Sequence, residues 1–225
     1  QQYKLQPAQL AQAITEKTRW LVLNNPGNPS GMVYSAQELQ ALATVLRDHP
    51  NVLIMLDELY EHILFDDRQH VSLLQVAPEL AERILLVGGV SKTYAMTGWR
   101  IGFAAGPQPL IDAMVVVQSQ NSSGASAISQ AAAVAAFNGG LDFLPPQRAA
   151  YQARRDVSVQ QLQQVAGIEV LQPQGAFFVF CRCAGLLGKT RLDHAVLHGE
   201  QDVLNYLLES GVSGVAGSAY GLSPY

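Results

Sequence analysis

Three apolar runs of strand length, Trp20 to Leu23, Val52 to Leu56 and Ile84 to Val87, each end in a short segment rich in chemically able side chains. The first run leads into Asn24-Asn25-Pro26-Gly27-Asn28-Pro29-Ser30-Gly31, the second into Asp57-Glu58-Leu59-Tyr60, and the third into Gly88-Gly89-Val90-Ser91-Lys92. The stretches between them have helical periodicity, so the chain reads as α/β. In open α/β sheets ligands bind beyond the carboxyl ends of the strands. If the three strands are parallel, their polar ends converge on one pocket.

The clearest helix follows Ser35, which forms a capping box with Glu38, and Leu39, Leu42, Ala43 and Leu46 then make one apolar face. A fourth strand-like run is expected from Trp99 through Ala105, and a helix from Pro107 to Val117. Two further helices are expected over Ser126 to Phe137 and Gln147 to Val165, the second long enough to link two domains. Beyond Gly167 the elements shorten: Ile168 to Leu171, Ala176 to Cys181, a helix around Asp202 to Glu209, and Val212 to Ala216. A domain change is expected near residue 165, dividing the chain into 1–165 and 166–225.

Several function classes are disfavoured. The formal net charge is −4, and Lys and Arg are nowhere gathered into a stripe that could neutralise a phosphate backbone, which argues against nucleic acid. No run approaches the roughly 20 apolar residues of a membrane span. Cys181 and Cys183 are spaced C-x-C in an apolar run and read as core residues in a reducing, cytoplasmic setting. The five histidines, His49, His62, His70, His194 and His198, fit no metal spacing, so no metal is expected and they read as surface or structural residues.

The segment Lys92-Thr93-Tyr94-Ala95-Met96-Thr97-Gly98-Trp99-Arg100-Ile101-Gly102 resembles the cofactor-lysine signature of class I, fold-type I aminotransferases. Asn28-Pro29-Ser30-Gly31 and Asp57 to Tyr60 resemble that family's two other hallmarks, in the right order. A weaker likeness extends from about Trp20 to Tyr225, including Gly175-Ala176-Phe177-Phe178 and Gly217-Ser218-Ala219-Tyr220-Gly221. The resemblance implies a large domain that binds pyridoxal 5'-phosphate, with a mostly parallel sheet and flanking helices, followed by part of a smaller C-terminal α+β domain.

It also implies roles. Lys92 would form a Schiff base with the cofactor aldehyde and afterwards shuttle a proton. Asp57 would face the pyridine nitrogen and favour its protonated form through opposite charge. Tyr60 and Asn28 would hydrogen-bond the phenolic oxygen, although a core tyrosine and a turn asparagine account for the same residues. Arg100 would bind the phosphate with its planar fork, joined by the Ser91 hydroxyl, which a turn could equally employ. Gly98 would keep that turn open to close approach.

On this reading the protein moves an amino group between an L-amino acid and a 2-oxo acid, and is expected to be a homodimer. Aspartate, aromatic and alanine-type donors stay open. A carbon–sulfur β-lyase shares the lysine, the aspartate and the arginine, and an aminotransferase-like effector domain of a transcription regulator would keep the fold without the catalysis. The family's phosphate-binding turn, its ring-stacking aromatic and its substrate-carboxylate arginine have no match here. The sequence is therefore expected to be a portion of a longer enzyme, with these residues alone transaminating poorly.

Overall fold

The structure, a computed structural model, describes residues 3–225. Its order is α1 (Pro7–Ala13), β1 (Trp20–Asn24), α2 (Ala36–Arg47), β2 (Leu53–Asp57), α3 (Leu73–Val76), β3 (Ile84–Gly89), β4 (Gly102–Ala105), α4 (Gln108–Asn121), α5 (Ala127–Asn138), α6 (Leu144–Gln163), β5 (Glu169–Val170), β6 (Cys181–Arg182) and α7 (Glu200–Glu209). The chain packs as two compact units, with the main changeover inside α6 between Ala149 and Ala150. Gln174–Ala176 belongs to the first unit, and Pro29–Gly31 to the second.

The first unit is built on a four-stranded sheet in the order β1-β2-β3-β4. β1, β2 and β3 are parallel, and their register places Asn24 beside Asp57 and Asp57 beside Val87. β4 runs antiparallel to β3, with Gly88 opposite Phe103 and Gly89 opposite Gly102. The pairing explains the two glycines. A Cβ on Gly88 would lie 2.6 Å from the Phe103 ring, and one on Gly89 would lie 2.9 Å from the Ile101 carbonyl oxygen.

α2 packs its apolar stripe onto this sheet. Leu39, Leu42, Ala43 and Leu46 are buried with Leu23 of β1 and with Ile54 and Leu56 of β2. Its start is the capping box expected from the sequence: the Glu38 N–H donates to the Ser35 hydroxyl at 3.3 Å, and the Ser35 N–H donates to the Glu38 carboxylate at 2.8 Å. Its end is held from a distance in sequence, because the Arg83 guanidinium donates to the carbonyls of Leu46, His49 and Val52. These groups sit at the helix end and in the turn after it, where carbonyls lack intrahelical partners.

The fourth strand is shorter than expected. Thr97–Trp99 form a 3-10 turn and Arg100 takes a left-handed conformation (φ 53°, ψ 48°), so the run beginning at Trp99 turns before it pairs. Of Ala176 to Cys181 only Cys181 enters a strand, β6. Leu64 bridges Gly175, the Ala176 N–H donates to the Ile63 carbonyl at 2.9 Å, and Ala176 has φ 57°, which breaks the extended backbone there. Val212 to Ala216 forms no strand. The helices expected after Pro107, Ser126 and Gln147 are present as α4, α5 and α6, with ends moved by one to four residues. Pro145 and Pro146 lie in the first turn of α6, where a missing N–H costs nothing.

The second unit carries the β5–β6 pair, Glu169 opposite Arg182 and Val170 opposite Cys181. It also holds a small apolar cluster in which Cys183, Leu197 and Val203 are buried. No helix among the described residues is long and apolar enough to cross a membrane.

Candidate functional site

All six residues singled out from the sequence fall in the first unit, on the segments that leave β1, β2 and β3. The parallel register supplies the frame. At the ends of β1 and β2 the backbone is cross-tied: the Asn25 N–H donates to the Asp57 carbonyl at 3.0 Å, and the Asn24 side-chain amide donates to the same oxygen at 3.0 Å. The Glu58 N–H in turn donates to the Val87 carbonyl at 3.0 Å, which locks the end of β2 to β3.

Asp57 is half-buried at the end of β2, and its carboxylate accepts from the Leu59 N–H at 3.3 Å. That bond folds the chain sharply after the strand. Tyr60, buried with 4% exposure, follows in this turn. The Lys92 Nζ lies 5.7 Å from the centroid of the Tyr60 ring, a cation–π distance. The ends of β2 and β3 thus bring an amine and a phenol together, with a carboxylate at the adjoining strand end.

Lys92 is aimed by its neighbours. Val90 and Thr93 are buried, and Val90 packs with Ile101, Ala133, Tyr94 and Met96. The turn is closed by the Tyr94 N–H to the Val90 carbonyl and the Ala95 N–H to the Lys92 carbonyl. Ser91, Lys92 and Tyr94 are half-buried in this anchored turn.

Asn28 lies exposed on the loop after β1, and its N–H donates to the Asn24 side-chain oxygen at 2.5 Å. Arg100 is exposed on the β3–β4 connection, and its guanidinium donates to the Thr97 carbonyl of its own turn at 2.9 Å. A Cβ at Gly98 would meet nothing within 4 Å, so that glycine leaves space beside the turn without being required by protein packing.

Asn24 is the structural residue that sequence reasoning passed over. Its amide holds the end of β2 while its oxygen holds the Asn28 loop. The available signal was its place as the last polar residue of an apolar run. Glu58 and His70 were missed as a pair, with His70 Nε2 3.2 Å from Glu58 Oε2. Their separation in sequence carries no periodic signal.

The donor set is a primary amine, a carboxylate, a phenol, an amide, a hydroxyl and a guanidinium. It suits a ligand that presents an aldehyde, a ring nitrogen, a phenolic oxygen and a phosphate, the groups of pyridoxal 5'-phosphate. The residues present fit that cofactor by the chemistry of their functional groups.

Comparison with known proteins gives a consistent picture. The profile of the family described as aminotransferase class I and II matches residues 1–224. The chain is 48% identical, over 99% of its length and 56% of the relative's, to a probable aspartate/prephenate aminotransferase of Rhizobium leguminosarum bv. phaseoli. It is 49% identical, over 99% of its length and 55% of the relative's, to an aspartate aminotransferase of Rhizobium meliloti (strain 1021). The crystal structure of the aspartate aminotransferase from Rhizobium meliloti superposes with a TM-score of 0.93 at 49% identity, covering 98% of this chain and 56% of that one. An aromatic aminotransferase from Pyrococcus horikoshii OT3 superposes with a TM-score of 0.86 at 31% identity, covering 98% of this chain and 56% of that one. The chain spans about half the length of the curated relatives it matches.

Proposed function

The chain belongs to the aminotransferase class I and II family, and on that premise we propose that it is the cofactor-holding part of an enzyme that transfers an amino group from an L-amino acid to a 2-oxo acid. The family is pyridoxal-phosphate-dependent and its fold is fold-type I. Aspartate stands in the names of both relatives, beside prephenate in the first, and is the donor taken for this proposal. The observation that carries the proposal is the placement of Lys92 against Tyr60, at strand ends where Asp57 adjoins them.

Bound pyridoxal phosphate supplies an electron sink for the carbanion left when the substrate α-carbon loses its proton. The chain's own residues supply the rest. Lys92 is the attachment point for the aldehyde and the carrier of that proton at its Nζ. Asp57 offers negative charge to the ring nitrogen and so favours its protonated state. Tyr60 and Asn28 provide hydrogen bonds for the phenolic oxygen, and Arg100 and Ser91 provide a guanidinium fork and a hydroxyl for the phosphate. A cofactor-binding large domain over 1–165 with part of a smaller domain over 166–225, a homodimeric assembly and a cytoplasmic setting belong to the same proposal.

The test is the visible spectrum of the purified chain with pyridoxal phosphate, followed by borohydride reduction and peptide mass spectrometry. We expect a pyridoxyl group on Lys92, and none on any residue in Lys92→Ala. Stoichiometric labelling of another lysine, with Lys92 unmodified, would overturn the assignment. On the complete enzyme, Asp57→Ala is expected to keep the cofactor while losing turnover by ~100-fold or more, a typical scale for a charge that stabilises a transition state. Pyruvate release from a cysteine conjugate without a requirement for an oxo acid would instead point to the lyase.

A further inference from the structure

Glu58, Glu61 and His70 have no part in the proposed cofactor site, yet the fold gathers them. Glu58 directly follows β2, and the Glu61 N–H donates to the Glu58 carbonyl at 2.9 Å, so both acids sit in one tight turn. His70 returns to this turn from a loop that bends at Asp66 and Asp67, whose φ values are 57° and 55°. The Asn25 side-chain amide donates to the Val71 carbonyl at 3.1 Å and pins the returning strand of the loop beside it.

The imidazole of His70 is in an unusual state. Both ring nitrogens are closed to solvent and neither has a hydrogen-bond partner, although Nε2 is 3.2 Å from Glu58 Oε2. The two groups stand at ion-pair distance without a directed hydrogen bond between them. The Glu58 side chain is only 8% exposed. Buried polar nitrogens normally find partners. Here Nε2 faces a buried carboxylate, and a second, part-exposed acid, Glu61, lies nearby.

One oxygen from each carboxylate and one ring nitrogen lie within 4.8 Å of one another, the one such three-residue grouping among the described residues. A tetrahedral zinc ion takes nitrogen and oxygen ligands at about 2.0–2.2 Å, which puts neighbouring ligand atoms roughly 3.3–3.6 Å apart. The His70–Glu58 separation is already close to that. Glu61, with a side chain 40% exposed, can rotate to close the third side. An imidazole among carboxylates suits zinc and similar borderline divalent ions better than magnesium or calcium, which favour oxygen alone.

The surrounding charges allow a cation. His62 Nε2 lies 3.8 Å from the Glu61 carboxylate, beyond hydrogen-bond reach. Arg148 donates to the His62 carbonyl at 2.6 Å and brings one positive charge, which the two carboxylates outweigh. We propose that Glu58, Glu61 and His70 form a binding site for a zinc-like divalent cation, with three protein ligands and an open position for water. Bound there, the ion would tie the end of β2 to the loop through His70.

The experiment titrates the full chain, stripped of metal, with zinc chloride alone against a chromogenic chelator, and records thermal melting alongside. We expect one zinc per chain and a higher melting temperature with zinc. We further expect an affinity loss of ~tenfold or more in His70→Gln and in Glu61→Gln, since losing even an outer-shell partner of a metal site typically costs roughly 10–100-fold. Absence of stoichiometric uptake by the folded wild-type chain overturns the proposal. Uptake that Glu61→Gln retains in full also overturns it, and that variant alters a part-exposed side chain, so it stays informative if His70→Gln fails to fold. Binding abolished by Cys181→Ser and Cys183→Ser, with Glu61→Gln unaffected, would assign the zinc to the thiols instead.

Discussion

The thiols of Cys181 and Cys183 are both pushed up from their ordinary values by burial, and each thiolate also disfavours further negative charge nearby: Cys183 for Cys181, whose thiol reaches about 11, and Glu200 for Cys183. Thiolate, not thiol, is the nucleophile. At neutral pH the reactive fraction of Cys181 is therefore roughly 300-fold below that of a free cysteine with a pKa near 8.5. Maleimide labelling of the folded chain at pH 7 is expected to be slow at this position and fast after unfolding, with mass spectrometry reading the site. Rapid labelling in the native state would contradict the burial described. The core reading of these residues from a C-x-C pattern holds for Cys183, which packs with Leu197 and Val203, while Cys181 lies half-buried in β6. The strand-end placement of Lys92, Asp57 and Tyr60 was legible for a different reason. Each follows an apolar run closely, and a strand end is a place where the chain can display chemistry without losing its frame.

Helix α2 shows how one element draws on both near and distant residues. Glu38 takes part in the capping box and also pairs with Lys4 at 2.6 Å, where the Lys4 side chain is 8% exposed and that of Glu38 is 36% exposed. Burial alone would raise the Glu38 carboxyl, but hydrogen bonds from Lys4 and Ser35 outweigh it and hold the carboxyl below its ordinary value. A carboxylate lowered on folding stabilises the fold above its unfolded value. That contribution is lost as the pH falls through the folded value. Glu38→Gln is therefore expected to be less stable than wild type at pH 7 by about 0.5–1 kcal/mol, a modest figure because the pair is partly screened by water. Urea unfolding at a series of pH values should show the gap closing in acid, and a gap constant down to pH 3 would exclude this account. The sequence announced the start of α2 through Ser35 and Glu38. It did not announce the end, because Arg83 reaches back across more than thirty residues to the carbonyls that need it.

Across the molecule, apolar side chains on the outer helices of the first unit are unusually open. Val115, Val116 and Val117 of α4 are 58%, 62% and 68% exposed, and Ile128 of α5 is 74% exposed. Consecutive residues on a helix point to different sides, so no single neighbour covers α4 here. Patches of this kind attract apolar ligands. The folded chain is expected to enhance the fluorescence of anilinonaphthalene sulfonate, and Val116→Lys with Ile128→Lys should reduce that signal by about half without lowering the unfolding midpoint, because surface changes rarely alter stability by more than ~0.5 kcal/mol. No enhancement by the wild-type chain would show the surface to be covered. The α/β architecture was readable because β1, β2 and β3 are short apolar runs spaced by helical segments. The direction of β4 was not, since Gly102–Ala105 reads the same either way, and its start is decided by the left-handed turn at Arg100. The loss of a strand after Ala176 was hidden too: residues 176–181 are a continuous apolar run, but the backbone at Gly175 and Ala176 is taken up by Leu64 and Ile63. The shared register of β1, β2 and β3 bears finally on how such a sequence can diverge. Side chains along a strand alternate between faces, so inserting or deleting one residue within β2 would bring Leu56 or Glu58 to the place that Asp57 now holds at the end of the row. The connections between elements can change length without disturbing that row, whereas the lengths of these three strands are tied to the chemistry at their ends.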